Sequence, residues 1–156
     1  GKRAERKAAS IKRKAAWARF RLEELTFNVR TAAVNSVSGI AHIDTLLRPC
    51  AVKGCDVIGL QETKRDGTSE IVVSGYRVYF SGVKGRKGQH VVGLAITEKI
   101  IKKAGEDGIV IECIVARLQK ARISIKSNSV TFVVAYAPTE EAPDGQKAKY
   151  VAALNS

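Results

Sequence analysis

Three side chains that could take part in phosphate or metal chemistry stand at or near the ends of strand-like runs of the sequence. Asn28 lies within LTFNVR, Glu62 follows DVIGLQ, and Tyr136 follows VTFVVA. Strand ends that meet at one rim of a sheet commonly build a site from residues distant in sequence. Carboxylate oxygen is a preferred ligand of Mg²⁺, and amide and phenol groups can hydrogen-bond a phosphate. These three residues are therefore candidates for one site at such a rim.

Each of these residues also has a purely structural interpretation. Asn28 could hydrogen-bond a neighbouring loop. Glu62 could pair with Lys64 or Arg65 at the surface, where an ion pair contributes little. Tyr136 could be half-buried packing within a sheet. Spacing alone favours these structural interpretations, so a further signal is needed to choose the functional ones.

The elements that must position these residues are short β-type runs separated by polar segments. Alternating or continuous apolar residues predict six strands. They cover residues 25–30, 56–63, 76–80, 91–97, 109–118 and 129–138.

Two helices are predicted beside these strands. The first covers residues 38–54, where apolar residues recur at three-to-four spacing. Pro49 is expected to interrupt it and Gly54 to end it, which gives a β-α-β opening. The second helix is expected to begin after Pro143 and Asp144.

Composition limits the class of protein. The 156 residues, 45% hydrophobic, suffice for one domain with a core. A net charge of +12 favours partners rich in phosphate. The three cysteines have no CxxC spacing, so neither a disulfide framework nor a zinc site is indicated. No apolar run is long enough to span a bilayer. We therefore expect an intracellular protein of a reducing compartment, nuclear or cytoplasmic, with an organelle left open as well.

The positive charge is concentrated near the N-terminus. Residues 1–21 hold nine Lys or Arg against Glu5 alone. The chain is accordingly divided into a basic arm, residues 1–24, which could be helical on a suitable surface, and a domain, residues 25–156. The arm is either a solvated tail or a nucleic-acid-binding element. A second basic stretch, residues 81–90, has the composition of a mobile loop. The candidate nucleic-acid-binding residues are Lys2, Arg3, Arg6, Lys7, Lys12, Arg13, Lys14, Lys84, Arg86 and Lys87.

The order of the motifs gives the further signal. TFNVR, a helix, DVIGLQETK, YRVYFSG, KGQHVVGLAI and VTFVVAYAPT follow one another over about residues 25–150. This order resembles the N-terminal half of the endonuclease/exonuclease/phosphatase family. Within that family it is most similar to apurinic/apyrimidinic-endonuclease-like enzymes of LINE-type retroelements and to craniofacial development protein 2-like proteins.

The resemblance implies a fold and a chemistry. The fold would be the N-terminal half of a four-layered α/β sandwich, of α/β (α+β) class, with one mixed, mainly antiparallel sheet of about six strands and flanking helices. Glu62 would bind Mg²⁺ or Mn²⁺, Asn28 would orient the scissile phosphate, and Tyr136 would contact the phosphate or the attacking water. The reaction would be hydrolysis of a phosphodiester in DNA or RNA.

The match covers only part of the family pattern. The later family motifs, Gly-Asp-Phe-Asn and Ser-Asp-His, have no counterpart in the 156 residues. The chain alone is therefore expected to be catalytically inactive and to need a C-terminal half or a host complex. Two alternatives stay open: a non-catalytic nucleic-acid-binding or structural subunit of a larger assembly, such as a ribonucleoprotein, and an orphan fragment. We further expect the first sheet to expose an apolar face.

Overall fold

The architecture comes from a computed structural model, which describes Lys2 and residues 24–28, 37–61, 63, 68–81, 91–138 and 140–155. The strands are β1 (Glu24–Asn28), β2 (Val57–Gln61), β3 (Ser69–Val73), β4 (Tyr76–Ser81), β5 (Val92–Thr97), β6 (Ile109–Val115), β7 (Leu118–Ile125) and β8 (Asn128–Ala135). The helices are α1 (Val37–Val52), α2 (Glu98–Ala104) and α3 (Asp144–Leu154), and a 3₁₀ turn covers Glu106–Gly108.

The strands form two sheets. The first has the order β1-β2-β5-β4-β3, and the second has the order β6-β7-β8. β1 and β2 are parallel and joined across α1, which confirms the β-α-β opening. The other pairs are antiparallel. The α+β class is confirmed, but the described residues form eight strands in two sheets, so the expectation of one sheet of about six strands is wrong.

The helix α1 packs on the first sheet through one apolar face. Ile43, Leu47 and Cys50 recur at helical spacing and are all buried. Gly54, with φ of 76°, follows the helix end as predicted. The Gly54 N–H donates to Ala51 and the Cys55 N–H donates to Cys50, which satisfies two of the last helical carbonyls.

The expected interruption at Pro49 does not occur. The helix continues to Val52, and the Lys53 N–H still donates to the Pro49 carbonyl at 3.1 Å. A proline costs a helix its own N–H bond and a clash with the preceding turn. Here it stands in the last turn, with only Cys50, Ala51 and Val52 of the helix after it.

Both faces of the first sheet are covered within this chain. On one face, Ile58, Leu60 and Val78 pack against α1. On the other face, apolar residues of β2 and β5 meet apolar residues of the second sheet in a shared core. That core includes Val57, Leu94, Ile96, Ala121, Ile123 and Val134. Each large side chain so buried contributes about 1.5–3 kcal/mol. The expectation of an exposed apolar face on the first sheet is therefore wrong.

Three elements differ from the predicted strands and helices. The continuous apolar run 109–118 is divided, because β6 ends at Val115, a turn follows at Ala116 and Arg117, and β7 begins at Leu118. Strand β3 and helix α2 were not predicted. The seven residues of α2 are too few to show a clear period. In the part of the chain that the structure describes, no helix is long and apolar enough to cross a membrane.

Candidate functional site

The first two strands end side by side. In the parallel pairing of β1 and β2, Asn28 is opposite Gln61, and both are the last residues of their strands. Asn28 thus lies beside Gln61, the residue that directly precedes Glu62 in sequence. The side chain of Asn28 and the whole of Glu62 lie outside the described residues.

A hydrogen bond joins this edge to the second sheet. Gln61 Nε2 donates to the carbonyl oxygen of Ala135 at 2.9 Å. Ala135 is the last residue of β8 and directly precedes Tyr136. The ends of β1, β2 and β8 therefore meet at one rim, which we call the strand-end rim. It is the arrangement expected of a site assembled from distant segments.

The residue after position 62 is also fixed. The Thr63 side chain is fully buried, and the Thr63 N–H donates to the carbonyl of Val91 at 3.0 Å. Its hydroxyl donates to the same carbonyl at 3.3 Å. Gln61 and Thr63 are thus anchored to different partners on either side of Glu62. A site residue gains precision when its neighbours are locked in this way.

Tyr136 is held by Arg117, which lies in the turn between β6 and β7. The Tyr136 N–H donates to the Arg117 carbonyl at 2.9 Å. In return, Arg117 Nη1 donates to the carbonyls of Tyr136 and Ala137 at 3.3 and 3.4 Å. The guanidinium carbon lies 5.4 Å from the centroid of the Tyr136 ring, within cation–π range.

The cation at Arg117 is partly desolvated by this position. Burial lowers its pKa, and the nearby tyrosines Tyr136 and Tyr150 act in the opposite direction. An arginine stays charged throughout the accessible pH range even so. A fixed positive charge therefore lies beside the Tyr136 ring, where it could attract a phosphate.

A buried carboxylate elsewhere has a structural role. Asp56 is 3% exposed and accepts a hydrogen bond from the Thr97 hydroxyl at 3.1 Å. Lys99 Nζ lies 3.5 Å from the same oxygen. Asp56 precedes β2, so it stands at the opposite end of that strand from Gln61. It secures the turn from β5 into α2 and does not contribute to the strand-end rim.

The described residues alone offer no complete set of metal ligands, so a bound ion would depend on Glu62. Among them, no group of three or more His, Cys, Asp or Glu could hold a metal ion. The rim offers oxygen ligands of amide and phenol type from Gln61 and Tyr136. Mg²⁺ prefers oxygen ligands and commonly retains waters beside one or two carboxylates. This chemistry fits a cation held by Glu62 and completed by water.

Most of the predicted nucleic-acid-binding residues lie outside the described residues. Lys2 is described, and its side chain is exposed. The other residues of the arm, and Lys84, Arg86 and Lys87, are not. The division of the chain at residue 24 is likewise untested.

Gln61, Thr63 and Arg117 had no predicted role at the site. Gln61 and Thr63 flank Glu62 in LQET, so the motif itself was a signal for them. Arg117 was placed inside a strand, and nothing in the local sequence indicates that it reaches Tyr136. Its role depends on the turn at Ala116 and Arg117, which the continuous apolar run 109–118 does not indicate.

Comparison with known proteins identifies the fold. No family model and no curated protein matches this chain. Among solved structures, the AP endonuclease LMAP from Leishmania major is 17% identical, with a TM-score of 0.57 over 83% of this chain and 44% of that one. The endonuclease domain of TRAS1, a telomere-specific non-LTR retrotransposon, is 13% identical, with a TM-score of 0.52 over 86% of this chain and 52% of that one.

The likeness is one of architecture. The chain spans about half the length of each of these two structures. Both are endonucleases by description, one of the AP type and one from a retrotransposon. The resemblance noted in the motif order agrees with them. The chain therefore has the fold of AP-endonuclease-like and LINE-endonuclease-like proteins, over the portion that carries the strand-end rim.

Proposed function

We propose that this chain supplies the N-terminal portion of a metal-dependent phosphodiesterase, an endonuclease-like unit that acts on nucleic acid. The observation that carries the proposal is the hydrogen bond from Gln61 to Ala135, because it brings the ends of β2 and β8 to one rim. Glu62 and Tyr136 follow these two ends in sequence. The likeness to two endonuclease structures supports the same function.

Each residue of the rim has a distinct task in this proposal. Glu62 holds Mg²⁺ or Mn²⁺ together with water ligands. A bound divalent ion would neutralise charge that develops on the phosphoryl oxygens. The Asn28 amide donates a hydrogen bond that orients the scissile phosphate. The Tyr136 hydroxyl donates to a phosphate oxygen, and Arg117 keeps the Tyr136 backbone and ring in place.

The proposed site is incomplete in these 156 residues. The resemblance assigns water activation to motifs that the chain does not contain, so a C-terminal half or a host complex would provide those groups. We propose that the substrate strand is attracted by the net charge of +12, much of it on the arm. We also propose an intracellular, reducing location, in keeping with the free thiols of Cys50, Cys55 and Cys113.

Binding to a short DNA duplex at constant ionic strength tests this proposal. Mg²⁺ should strengthen binding, because a divalent ion held by Glu62 would offset the repulsion between this carboxylate and the phosphates. Glu62→Gln should remove this metal-dependent gain. Glu106→Gln is the matched control, because Glu106 is exposed in the 3₁₀ turn at the other end of the second sheet. Equal metal dependence in both variants would contradict the proposal.

A further inference from the structure

A pocket of about 380 Å³ opens between the two sheets on the side of β3 and β4. Its walls include Ser69, Glu70, Tyr79, Ile111, Cys113 and Gln119. We call it the Gln119 pocket. Nearby, the Ser81 hydroxyl donates to the Val115 carbonyl at 3.0 Å, which ties β4 to β6. The spacing between the two walls is thus fixed by the fold.

The pocket contains a buried amide with an unused acceptor. Gln119 is fully buried, and its Oε1 has no hydrogen-bond partner among the described residues. Its Nε2 donates to Cys113 Sγ at 3.6 Å, which is a weak acceptor. The hydroxyl of Ser69 is likewise buried and without a partner in the described part of the chain. Buried polar atoms are rarely left unpaired, so these atoms call for a ligand that donates hydrogen bonds.

The remaining walls favour a flat, partly apolar ligand. The half-buried Tyr79 ring and Ile111 supply the apolar part of the surface. The Glu70 side chain is exposed at the edge strand and adds a second acceptor. Aromatic and apolar walls with acceptors between them are the means by which proteins hold an unstacked base.

The pocket lies toward the same strand ends of the first sheet as the strand-end rim. Leu60, Gly93, Phe80 and Ser69 pair in sequence across β2, β5, β4 and β3. Ser69 is therefore level with Leu60, the neighbour of Gln61, and lies three strands away from it across the sheet. At about 4.8 Å per spacing this is roughly 14 Å. Such a distance corresponds to about four nucleotides of a duplex strand, at about 3.4 Å each.

We propose that the Gln119 pocket binds a nucleobase whose pairing edge carries an exocyclic amine, presented by a strand that also contacts the strand-end rim. This inference rests on the proposed function for its ligand class. Gln119 Oε1 and the Glu70 carboxylate accept from the amine, and Tyr79 contacts the base. Thymine and uracil carry a carbonyl oxygen in place of the amine, and their single donor on this edge, N3–H, lies between two carbonyl oxygens that repel a second acceptor, so the pocket discriminates against them.

Nucleoside titrations with the full chain test the proposal, and EDTA is present so that metal binding at Glu62 has no influence. Cytidine and thymidine form a matched pair of similar size. We expect cytidine to shift the side-chain amide resonances of Gln119 in NMR spectra and to bind at least about tenfold more tightly than thymidine. Gln119→Leu should abolish cytidine binding while leaving the melting temperature unchanged or higher, because it removes an unpaired acceptor.

Gln146→Leu, on the exposed face of α3, is the control and should bind cytidine as the wild type does. If Gln119→Leu does not fold, Ile111→Phe narrows the pocket with Gln119 intact and should also lose binding. Equal binding of both nucleosides, unaltered binding in the pocket variants, or no shift at Gln119 would each overturn the proposal. The last result would mean that water alone occupies the pocket. Because EDTA removes metal ions, a negative result here concerns the Gln119 pocket alone and does not depend on whether Glu62 binds a metal.

Discussion

The hydrogen bond between Gln61 and Ala135 makes a sharp prediction, because it joins two sheets whose contacting residues are 74 positions apart. Gln61→Leu keeps most of the side-chain volume and removes the donor. The bond is partly buried and 2.9 Å long, so its loss removes a net contribution of about 1 kcal/mol. The Ala135 carbonyl also loses this hydrogen-bond donor, which adds to the cost. We expect a total destabilisation of about 1–2 kcal/mol.

Thermal and urea unfolding measure this change. In a chain of 156 residues, a loss of this size lowers the melting temperature by about 2–8 °C. The amide resonance of Tyr136 should shift as well, since Tyr136 follows the carbonyl that loses its donor. Gln146→Leu is the matched control and should unfold like the wild type. A Gln61→Leu variant with unchanged stability and an unmoved Tyr136 resonance would refute the claim that this bond fixes the rim.

Further predictions concern the support of Tyr136, a buried phenol and the basic arm. Arg117→Ala should lower the free energy of unfolding by about 1–2 kcal/mol, because it removes two long hydrogen bonds and a cation–π contact. The control is Arg122→Ala, since Arg122 is exposed. In urea unfolding it should change the free energy of unfolding by less than about 0.5 kcal/mol. The Tyr76 hydroxyl donates to the Cys55 carbonyl, and burial raises the Tyr76 pKa above its ordinary value of 10.0. In the unfolded chain the Tyr76 phenol ionises at a lower pH than in the folded chain. The contribution of Tyr76 to stability should therefore be intact below about pH 10 and fall above it. In urea unfolding at several pH values, Tyr76→Phe should lose less stability above about pH 10 than the wild type does. For the arm, deletion of residues 1–21 should remove most of the salt dependence of DNA binding, and an unchanged slope would exclude the arm as the binding element.

The sequence predicted the elements whose signals are local. The β-α-β opening follows from the apolar period of residues 38–54, and Gly54 ends α1 as a left-handed glycine should. The helix predicted to begin after Pro143 and Asp144 is present as α3, which begins one residue earlier, at Asp144. In each case the signal and the structure that it specifies lie within a few residues of each other.

The second sheet could not be predicted from the sequence, and the reason is physical. The turn at Ala116 and Arg117 contains none of the glycine, proline or asparagine residues that normally reveal a turn. β7 then carries Gln119, Lys120 and Arg122 between its apolar residues, which weakened it as a strand signal. Without β7, the partner for the apolar face of β5 could not be identified.

The candidate site was only partly predictable for a similar reason. Motif order indicated Asn28, Glu62 and Tyr136, but pairing across the sheets determines which residues hold them. The contact of Gln61 with Ala135 joins residues 74 positions apart, and the contact of Arg117 with Tyr136 joins residues 19 positions apart. Such contacts depend on the complete arrangement of strands, which no local pattern contains.

The most direct test of the central claim is paramagnetic broadening by Mn²⁺ in NMR spectra of the 156-residue chain. The account predicts selective broadening of the backbone amides of Gln61, Thr63 and Tyr136, loss of that broadening in Glu62→Gln, and its retention in the control Glu106→Gln. Broadening that is spread over the surface, centred on other residues, or unaffected by Glu62→Gln would contradict a metal-dependent phosphodiesterase site at the strand-end rim.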